Sequence, residues 1–83
     1  MKISFIKYEK SEKYSILQLL GMNVVEISEP EQIDSKIEEL KNQNYTTIVI
    51  PNELASFSEK IINKYKYDNS LNIIITPTKN SHK

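Results

Sequence analysis

The sequence predicts a small α/β domain built on a parallel sheet. Short runs of β-branched and aliphatic residues alternate with segments whose apolar residues recur every three to four positions, so strands alternate with helices along the chain. This alternation is typical of parallel strands joined by right-handed helical crossovers. We expect strands near residues 2–7, 22–27, 45–50 and 71–76 and helices near residues 11–20, 29–43 and 52–67.

The clearest stretch is the central one, Tyr45–Ala55, with the sequence YTTIVIPNELA. Its β-branched run, 46–50, suits a strand buried on both faces, and Pro51 ends that strand because proline cannot donate the next ladder hydrogen bond. Asn52 stands where its side chain can cap a helix, and Glu53 places a negative charge near the positive end of the helix dipole. We expect this strand in the middle of the sheet.

The first two helices carry start and stop signals. Ser11 is a plausible cap of the first helix, and Gly21, the one glycine of the chain, ends it because glycine adopts positive φ at low cost. Ser28 and Glu31 have the spacing of a capping box for the second helix, with Pro30 in its first turn. The first helix has an apolar stripe expected to face the core: Tyr14, Ile16, Leu17, Leu19 and Leu20. The second has the stripe Ile33, Ile37 and Leu40.

The third helix is expected to pack on the sheet, because its apolar residues recur at helical spacing: Leu54, Phe57, Ile61 and Tyr65. Turn-forming residues 68–70 then lead into a fourth strand, which Pro77 ends. We predict the strand order 2-1-3-4, with three flanking helices, which is a receiver-like or flavodoxin-like topology. The domain is expected to span residues 1–77, followed by a polar tail at 78–83.

Composition argues against several classes of function. The chain has 83 residues, enough for one domain, and 11 positive against 11 negative charges give a formal net charge of zero, which offers no attraction to nucleic acid or anionic lipid. The absence of cysteine excludes a disulfide framework and fits a reducing compartment, and no apolar run approaches the length of a membrane span. We therefore expect a cytoplasmic protein without direct membrane insertion, whose partner is recognised by shape and apolar contact.

The loops that bind ligands in open α/β sheets show no catalytic pattern. The loop after the first strand, 7–11, contains no glycine, so neither a dinucleotide fingerprint nor a nucleotide-triphosphate loop is expected there. Ile50 and Pro51 stand where a receiver domain needs its aspartate. Glu9 and Glu53 could approach each other as a metal or acid/base pair, but solvation and the helix dipole explain them without chemistry. We expect no enzyme activity and no cofactor or metal site.

A partner-binding surface is predicted on the third helix and fourth strand, around Phe57, Ile61, Tyr65 and Ile74. The fourth strand is an expected sheet edge, and no charge within the run 73–75 discourages pairing with another strand. A partner protein, or a second copy that self-associates through this edge, would cover the surface. The alternative is that the third helix packs its whole stripe on the domain's own core.

These elements together resemble the F subunit of V-type and A-type ATPases (ATP synthases), or a shortened relative of that subunit. The resemblance rests on five stretches that cover nearly the whole chain: the opening strand Ile3–Ile6, the helix end Leu20-Gly21-Met22, Tyr45 with the strand and turn Ile48–Ala55, Ile62 and Tyr65 on the third helix, and the ending Ile73–Pro77. All of these motifs are structural. Two features differ, because Lys7-Tyr8 replaces the family's usual Gly-Asp, and the family continues after Pro77 into a helical segment that engages the shaft.

The resemblance implies a noncatalytic subunit of the central rotor shaft, peripheral to a membrane complex, that binds a helical shaft subunit and modulates coupling. A second hypothesis is a stand-alone, receiver-like interaction or regulatory module without a phospho-acceptor site. A third is a small-molecule-binding or enzymatic domain that uses the ends of the first and third strands.

Overall fold

A computed structural model describes residues 2–12 and 14–77 of the chain. Within this part the strands are β1 (Ile3–Tyr8), β2 (Asn23–Ile27), β3 (Thr47–Pro51) and β4 (Asn72–Thr76). The helices are α1 (Ser15–Leu19), α2 (Ile33–Asn42), α3 (Asn52–Ala55) and α4 (Glu59–Lys64), with a 3-10 turn at Pro30–Gln32. The four strands are parallel in the order β2-β1-β3-β4, so the predicted fold class and strand order are confirmed. The tail predicted at 78–83 lies outside the described residues.

β3 is the centre of the sheet, as predicted. All five of its residues are buried, and Ile48 and Ile50 have no exposed surface. The strand ends at Pro51, and α3 begins at the next residue with Glu53 in its first turn. Pro51, however, occupies the N-cap position, so the predicted cap on Asn52 is wrong.

The main core lies on one side of the sheet, which we call the covered face. Helices α2, α3 and α4 contribute to it, and the predicted stripe of α2 is confirmed. The buried cluster consists of Ile6, Ile27, Ile33, Ile37, Leu40, Ile48, Ile50, Leu54, Ile61, Tyr65 and Leu71. Burial of this many aliphatic side chains is the main source of stability in so small a domain.

The capping interactions before α2 lie one residue later in the chain than predicted. The side-chain carbonyl of Gln32, Oε1, accepts hydrogen bonds from the backbone N–H groups of Ser28 at 2.8 Å and Glu29 at 2.9 Å. It also accepts a bond from the Ser28 hydroxyl at 3.1 Å. The predicted box between Ser28 and Glu31 is therefore wrong at both positions, because Glu29 is the N-cap and Gln32, not Glu31, reaches back across the turn.

The predicted helix at 52–67 is two helices, α3 and α4. Ser58 is buried at the break, and its hydroxyl donates to the carbonyl oxygen of Ala55 at 3.2 Å, which satisfies a group at the end of α3. The break takes Phe57 out of the apolar stripe and leaves it half exposed, whereas Ile61 and Tyr65 remain buried. The prediction of one continuous helix is therefore wrong.

α1 differs most from its prediction. It spans five residues instead of 11–20, begins at Ser15 and not after a cap on Ser11, and none of its residues is buried. Its aliphatic side chains are mostly exposed: Ile16 72%, Leu19 86% and Leu20 73%. The prediction that this stripe faces the core is wrong for these residues, because so short a helix makes little packing contact.

The predicted stop at Gly21 is confirmed. Gly21 has φ of 89°, its N–H donates to the carbonyl oxygen of Gln18 at 3.1 Å, and the N–H of Met22 donates to that of Leu17 at 3.0 Å. These two bonds form a Schellman motif, which closes the helix and turns the chain into β2.

Candidate functional site

The second side of the sheet, which we call the open face, carries an apolar row. Strand register places Val24, Phe5, Val49 and Ile74 side by side across the four strands. The main buried cluster contains none of these four residues. Val49 is only 7% exposed in the middle of the row, whereas Ile74 is 43% exposed at the sheet edge. The row therefore lies opposite the main core and ends in exposed aliphatic surface.

Tyr14 covers part of the open face. Its ring centroid lies 5.1 Å from that of Phe5, and its hydroxyl forms a 2.8 Å hydrogen bond with the hydroxyl of Thr76. The Tyr14 side chain thus connects β1 with β4. Burial raises the pKa of Tyr14, and the nearby negative charge of Glu53 acts in the same direction.

The backbone of Tyr14 is unusual for a residue with a side chain. Its φ of 64° lies in the left-handed region, which non-glycine residues enter only at an energetic cost. The contacts with Phe5 and Thr76 offset this cost. The conformation places the start of α1 directly after the residue that covers the sheet.

α1 and the residues after it form a second apolar area, which we call the α1 patch. Its members are Ile16, Leu19, Leu20 and Met22, and all four are exposed. Ile16 lies three residues before Leu19 and four before Leu20, a spacing that puts these side chains on one side of the helix. Sequence reasoning assigned three of these residues to the core, because helical periodicity identifies an apolar side without showing what covers it.

The four residues of the predicted partner surface do not lie together. Phe57 and Ile74 are 50% and 43% exposed, whereas Ile61 and Tyr65 are buried in the main core. The burial of Ile61 and Tyr65 agrees with the alternative, in which the third helix packs on its own domain. Ile74 lies on the open face, and Phe57 lies at the break between α3 and α4. A role for any of the four in partner binding stays a prediction.

Tyr65 also links α4 to α2 through hydrogen bonds. Its hydroxyl donates to Oε1 of Glu38, and Nζ of Lys64 donates to Oε2 of Glu38 at 3.0 Å. The hydrogen bond from Tyr65, followed by that from Lys64, lowers the pKa of Glu38. Glu38 is thus part of the packing between these helices.

The carboxyl end of β1 is occupied by a buried lysine. Lys7 is 4% exposed, its Nζ donates to the carbonyl oxygen of Ser11, and the same atom lies 3.5 Å from Oε2 of Glu26. These partners compensate for burial of the ammonium group. The lysine with its bonded loop therefore takes the place that a glycine-rich anion cradle occupies in nucleotide-binding domains.

The predicted Glu9–Glu53 pair stays a prediction, and Glu53 is placed where the helix dipole favours it, in the first turn of α3. Among the described residues, no group of three or more histidine, aspartate or glutamate side chains is arranged to hold a metal ion.

Over residues 2–12 and 14–77, none of the helices has the length and hydrophobicity needed to span a bilayer.

Fold and surface together define a class: a small parallel-sheet α/β domain of flavodoxin-like topology, with several exposed apolar residues. A family model described as "ATP synthase (F/14-kDa) subunit" matches residues 9–83, nearly the whole chain. The chain therefore belongs to this family, that of the F subunit of V/A-type ATP synthases, and the resemblance seen in the sequence is confirmed. A search of curated proteins finds no match to the chain.

Proposed function

We propose that this chain is a noncatalytic subunit on the central shaft of a V/A-type rotary ATPase, where it binds a helical partner and modulates coupling. Family membership supports the assignment to the ATPase. The protein would act by stabilising one conformation of its partner, with no chemistry of its own. It would lie on the cytoplasmic side, peripheral to the membrane complex that carries out proton or ion transport.

The open face is the observation that supports binding of a helical partner. Parallel sheets are normally covered by helices on both faces, because their strands are apolar on both sides. Here α2, α3 and α4 contribute to the core of one face, while the open face has Tyr14 and carries an apolar row that ends at the exposed Ile74. An amphipathic helix that packs its apolar side on the row would gain aliphatic contacts there, and the α1 patch offers a second exposed apolar area.

Binding of the purified chain to the purified shaft subunit of the same ATPase tests this proposal. Leu19→Lys places a charge in the α1 patch, and Ile74→Lys places one at the end of the apolar row. Ser35→Lys is the matched control, because Ser35 is exposed on α2. Glu38 would be a poor control, since it bonds Tyr65.

We expect each of the first two variants to weaken binding by about tenfold or more, a typical effect of a charge in an apolar interface core, and the control to bind as the parent does. Circular dichroism verifies that all variants are folded. The proposal fails if the parent does not bind the shaft subunit, or if Ser35→Lys alone weakens binding. Recovery with unrelated regulators from native extract would favour the receiver-like interaction module instead.

A noncatalytic role also predicts the outcome of ligand titrations. Lys7 and its bond to Ser11 occupy the loop that would have to cradle a phosphate. We expect isothermal titration to detect no micromolar binding of nucleotide or magnesium. Binding in that range would contradict the noncatalytic assignment while leaving the family membership intact.

A further inference from the structure

β4 is an edge strand whose hydrogen-bonding groups are only half used. The N–H of Asn72 donates to the carbonyl oxygen of Thr46 at 2.8 Å, so Asn72 points its backbone groups toward β3. In a parallel strand this orientation alternates, so Ile74 and Thr76 also point inward, while Ile73 and Ile75 point their N–H and C=O groups outward. In the described part of the chain, no strand pairs with β4 on that outer side. These outward groups form a short template for another strand.

We propose that β4 pairs in antiparallel fashion with β4 of a second copy of this chain, around a two-fold axis at Ile74. In this register Ile73 lies opposite Ile75 of the copy, and the two residues exchange both backbone hydrogen bonds. Symmetry repeats that pair on the other side of the axis. Ile74 lies opposite its own counterpart without hydrogen bonds, and Asn72 lies opposite Thr76 of the copy. Every outward backbone group of β4 then has a partner.

Neighbouring registers satisfy fewer groups. A shift of two residues in one direction places Ile75 opposite Leu71 of the copy, whose N–H already donates to the carbonyl oxygen of Asp68 at 3.4 Å. A shift in the other direction places Ile73 opposite Pro77 of the copy, which has no N–H to donate. Both shifts also place the exposed Ile74 opposite a polar side chain. The register centred on Ile74 is therefore the favoured one.

The side chains around β4 fit a second copy. The segment from Leu71 to Pro77 carries no charge, so two copies meet without repulsion. Ile73 and Ile75 line two open grooves that both include Ile62 of α4. In the proposed register Ile75 of the copy lies beside Ile73 and extends the apolar contact at these grooves. On the open face, the two copies of Ile74 join the apolar rows of both sheets.

The size of this contact sets its expected strength. Five strand residues extend about 17 Å at roughly 3.3 Å per residue, and an edge about 10 Å thick then covers roughly 170 Å². This contact is far smaller than the interface of about 800 Å² per partner found in stable complexes. We expect a weak dimer whose population rises with protein concentration. The inference does not depend on shaft binding, because it rests on the backbone and side chains of β4 alone.

Cysteine cross-linking tests the register, because the chain has no cysteine of its own. Ile74→Cys puts two thiols in a non-hydrogen-bonded antiparallel pair, where Cα atoms lie about 4.5 Å apart, within the range of a disulfide. Asn72→Cys is the matched control on the same strand and face. Its two copies would lie four residues apart, about 13 Å, which is too far to bridge.

We expect oxidation to convert at least about ten times more Ile74→Cys than Asn72→Cys into covalent dimer, since only the former is within bridging distance. Equal cross-linking of both variants, or of neither, overturns the register. Sedimentation equilibrium of the parent, from about 10 µM to about 1 mM, should show a monomer–dimer equilibrium. A parent that remains monomeric over that range overturns the proposal.

Lysine variants separate this edge from the α1 patch. Ile74→Lys should shift sedimentation to monomer because it places two ammonium groups on the two-fold axis, whereas Leu19→Lys should leave the dimer intact. If Leu19→Lys abolishes the dimer and Ile74→Lys does not, self-association runs through the α1 patch and the proposal fails. Because this experiment contains no shaft protein, failure of shaft binding and failure of β4 pairing are seen separately.

Discussion

The covered and open faces of this sheet are formed by the same four strands, yet they differ in what packs on them. On the covered face, Ile48 and Ile50 have no exposed surface and belong to a core shared with three helices. On the open face, the apolar row is shielded by Tyr14 and ends at Ile74, which is 43% exposed. Strands that are apolar on both sides need other elements packed against both faces of the sheet. In the described chain, the helices pack mainly against one face.

The same contrast holds between two helices. α2 buries three of its ten residues and carries charged side chains on its outer side. α1 has five residues, none of them buried, although its sequence is richer in aliphatic side chains. A helix that leaves Ile16 and Leu19 mostly exposed is better explained by a partner than by stability.

The same substitution on the two faces should have very different costs. Ile50→Asp buries an unpaired carboxylate in the core, and we expect it to reduce the free energy of unfolding by about 4 kcal/mol or more. Ile74→Asp leaves its carboxylate in contact with water, and we expect a loss of about 1 kcal/mol or less. Urea denaturation of both variants at one pH measures the difference. Equal losses would mean that Ile74 at the sheet edge is as inaccessible to water as Ile50 in the central strand.

Tyr14→Ala tests whether one side chain shields the apolar row. The ring packs on Phe5 and its hydroxyl bonds Thr76, so its removal should cost about 2–3 kcal/mol of unfolding free energy. Tyr14→Phe keeps the ring and loses one hydrogen bond, which should cost about 1 kcal/mol. Thermal denaturation ranks the two variants. If both are as stable as the parent, the ring contributes nothing to the open face.

Glu38→Gln should have an effect that depends on pH. The hydrogen bond from Tyr65 lowers the pKa of Glu38 below its ordinary value of 4.5, so the ionised carboxylate favours the folded state. That contribution is fully present above about pH 4.5 and is lost as pH falls through the lower folded-state pKa. We expect the difference in melting temperature between parent and Glu38→Gln to shrink between pH 6 and pH 3. A difference that does not change with pH would contradict this assignment.

The matched background for that measurement is Tyr65→Phe, which removes the hydroxyl that donates to Glu38. In this background the pH dependence of the Glu38→Gln effect should be smaller. A dependence as large as in the parent would assign the effect to Lys64, the second donor to Glu38.

The smallest effect on stability is expected in the α1 patch. Leu19→Ala removes a side chain that is 86% exposed, and we expect a change in unfolding free energy within about 0.5 kcal/mol. Leu40→Ala in α2 is the matched comparison, because Leu40 is buried and its truncation should cost about 2–5 kcal/mol. Chemical denaturation distinguishes these outcomes. A large loss for Leu19→Ala would show that α1 packs on the domain in solution.

The candidate surface was only partly predictable. The sequence indicated Ile74 as part of an edge strand without charges, and the structure leaves it exposed there. Phe57 was placed in a continuous helical stripe, whereas the bond from Ser58 to Ala55 breaks the helix and exposes it. The two serines that flank Phe57 were the available signal, since serine often bonds nearby backbone and interrupts helices. Exposure of the α1 patch had no comparable local signal.

The sequence by itself determined the order of the strands, the parallel sheet and the central place of β3, because β-branched runs, prolines and Gly21 act through local backbone preferences and strand burial. Tertiary structure alone decided whether an apolar helix stripe is packed against the sheet or left exposed. Ile61 and Ile16 occupy similar helical patterns, yet Ile61 packs into the core and Ile16 is 72% exposed. Periodicity identifies the apolar side of a helix, but burial depends on whether another element of the chain lies against that side.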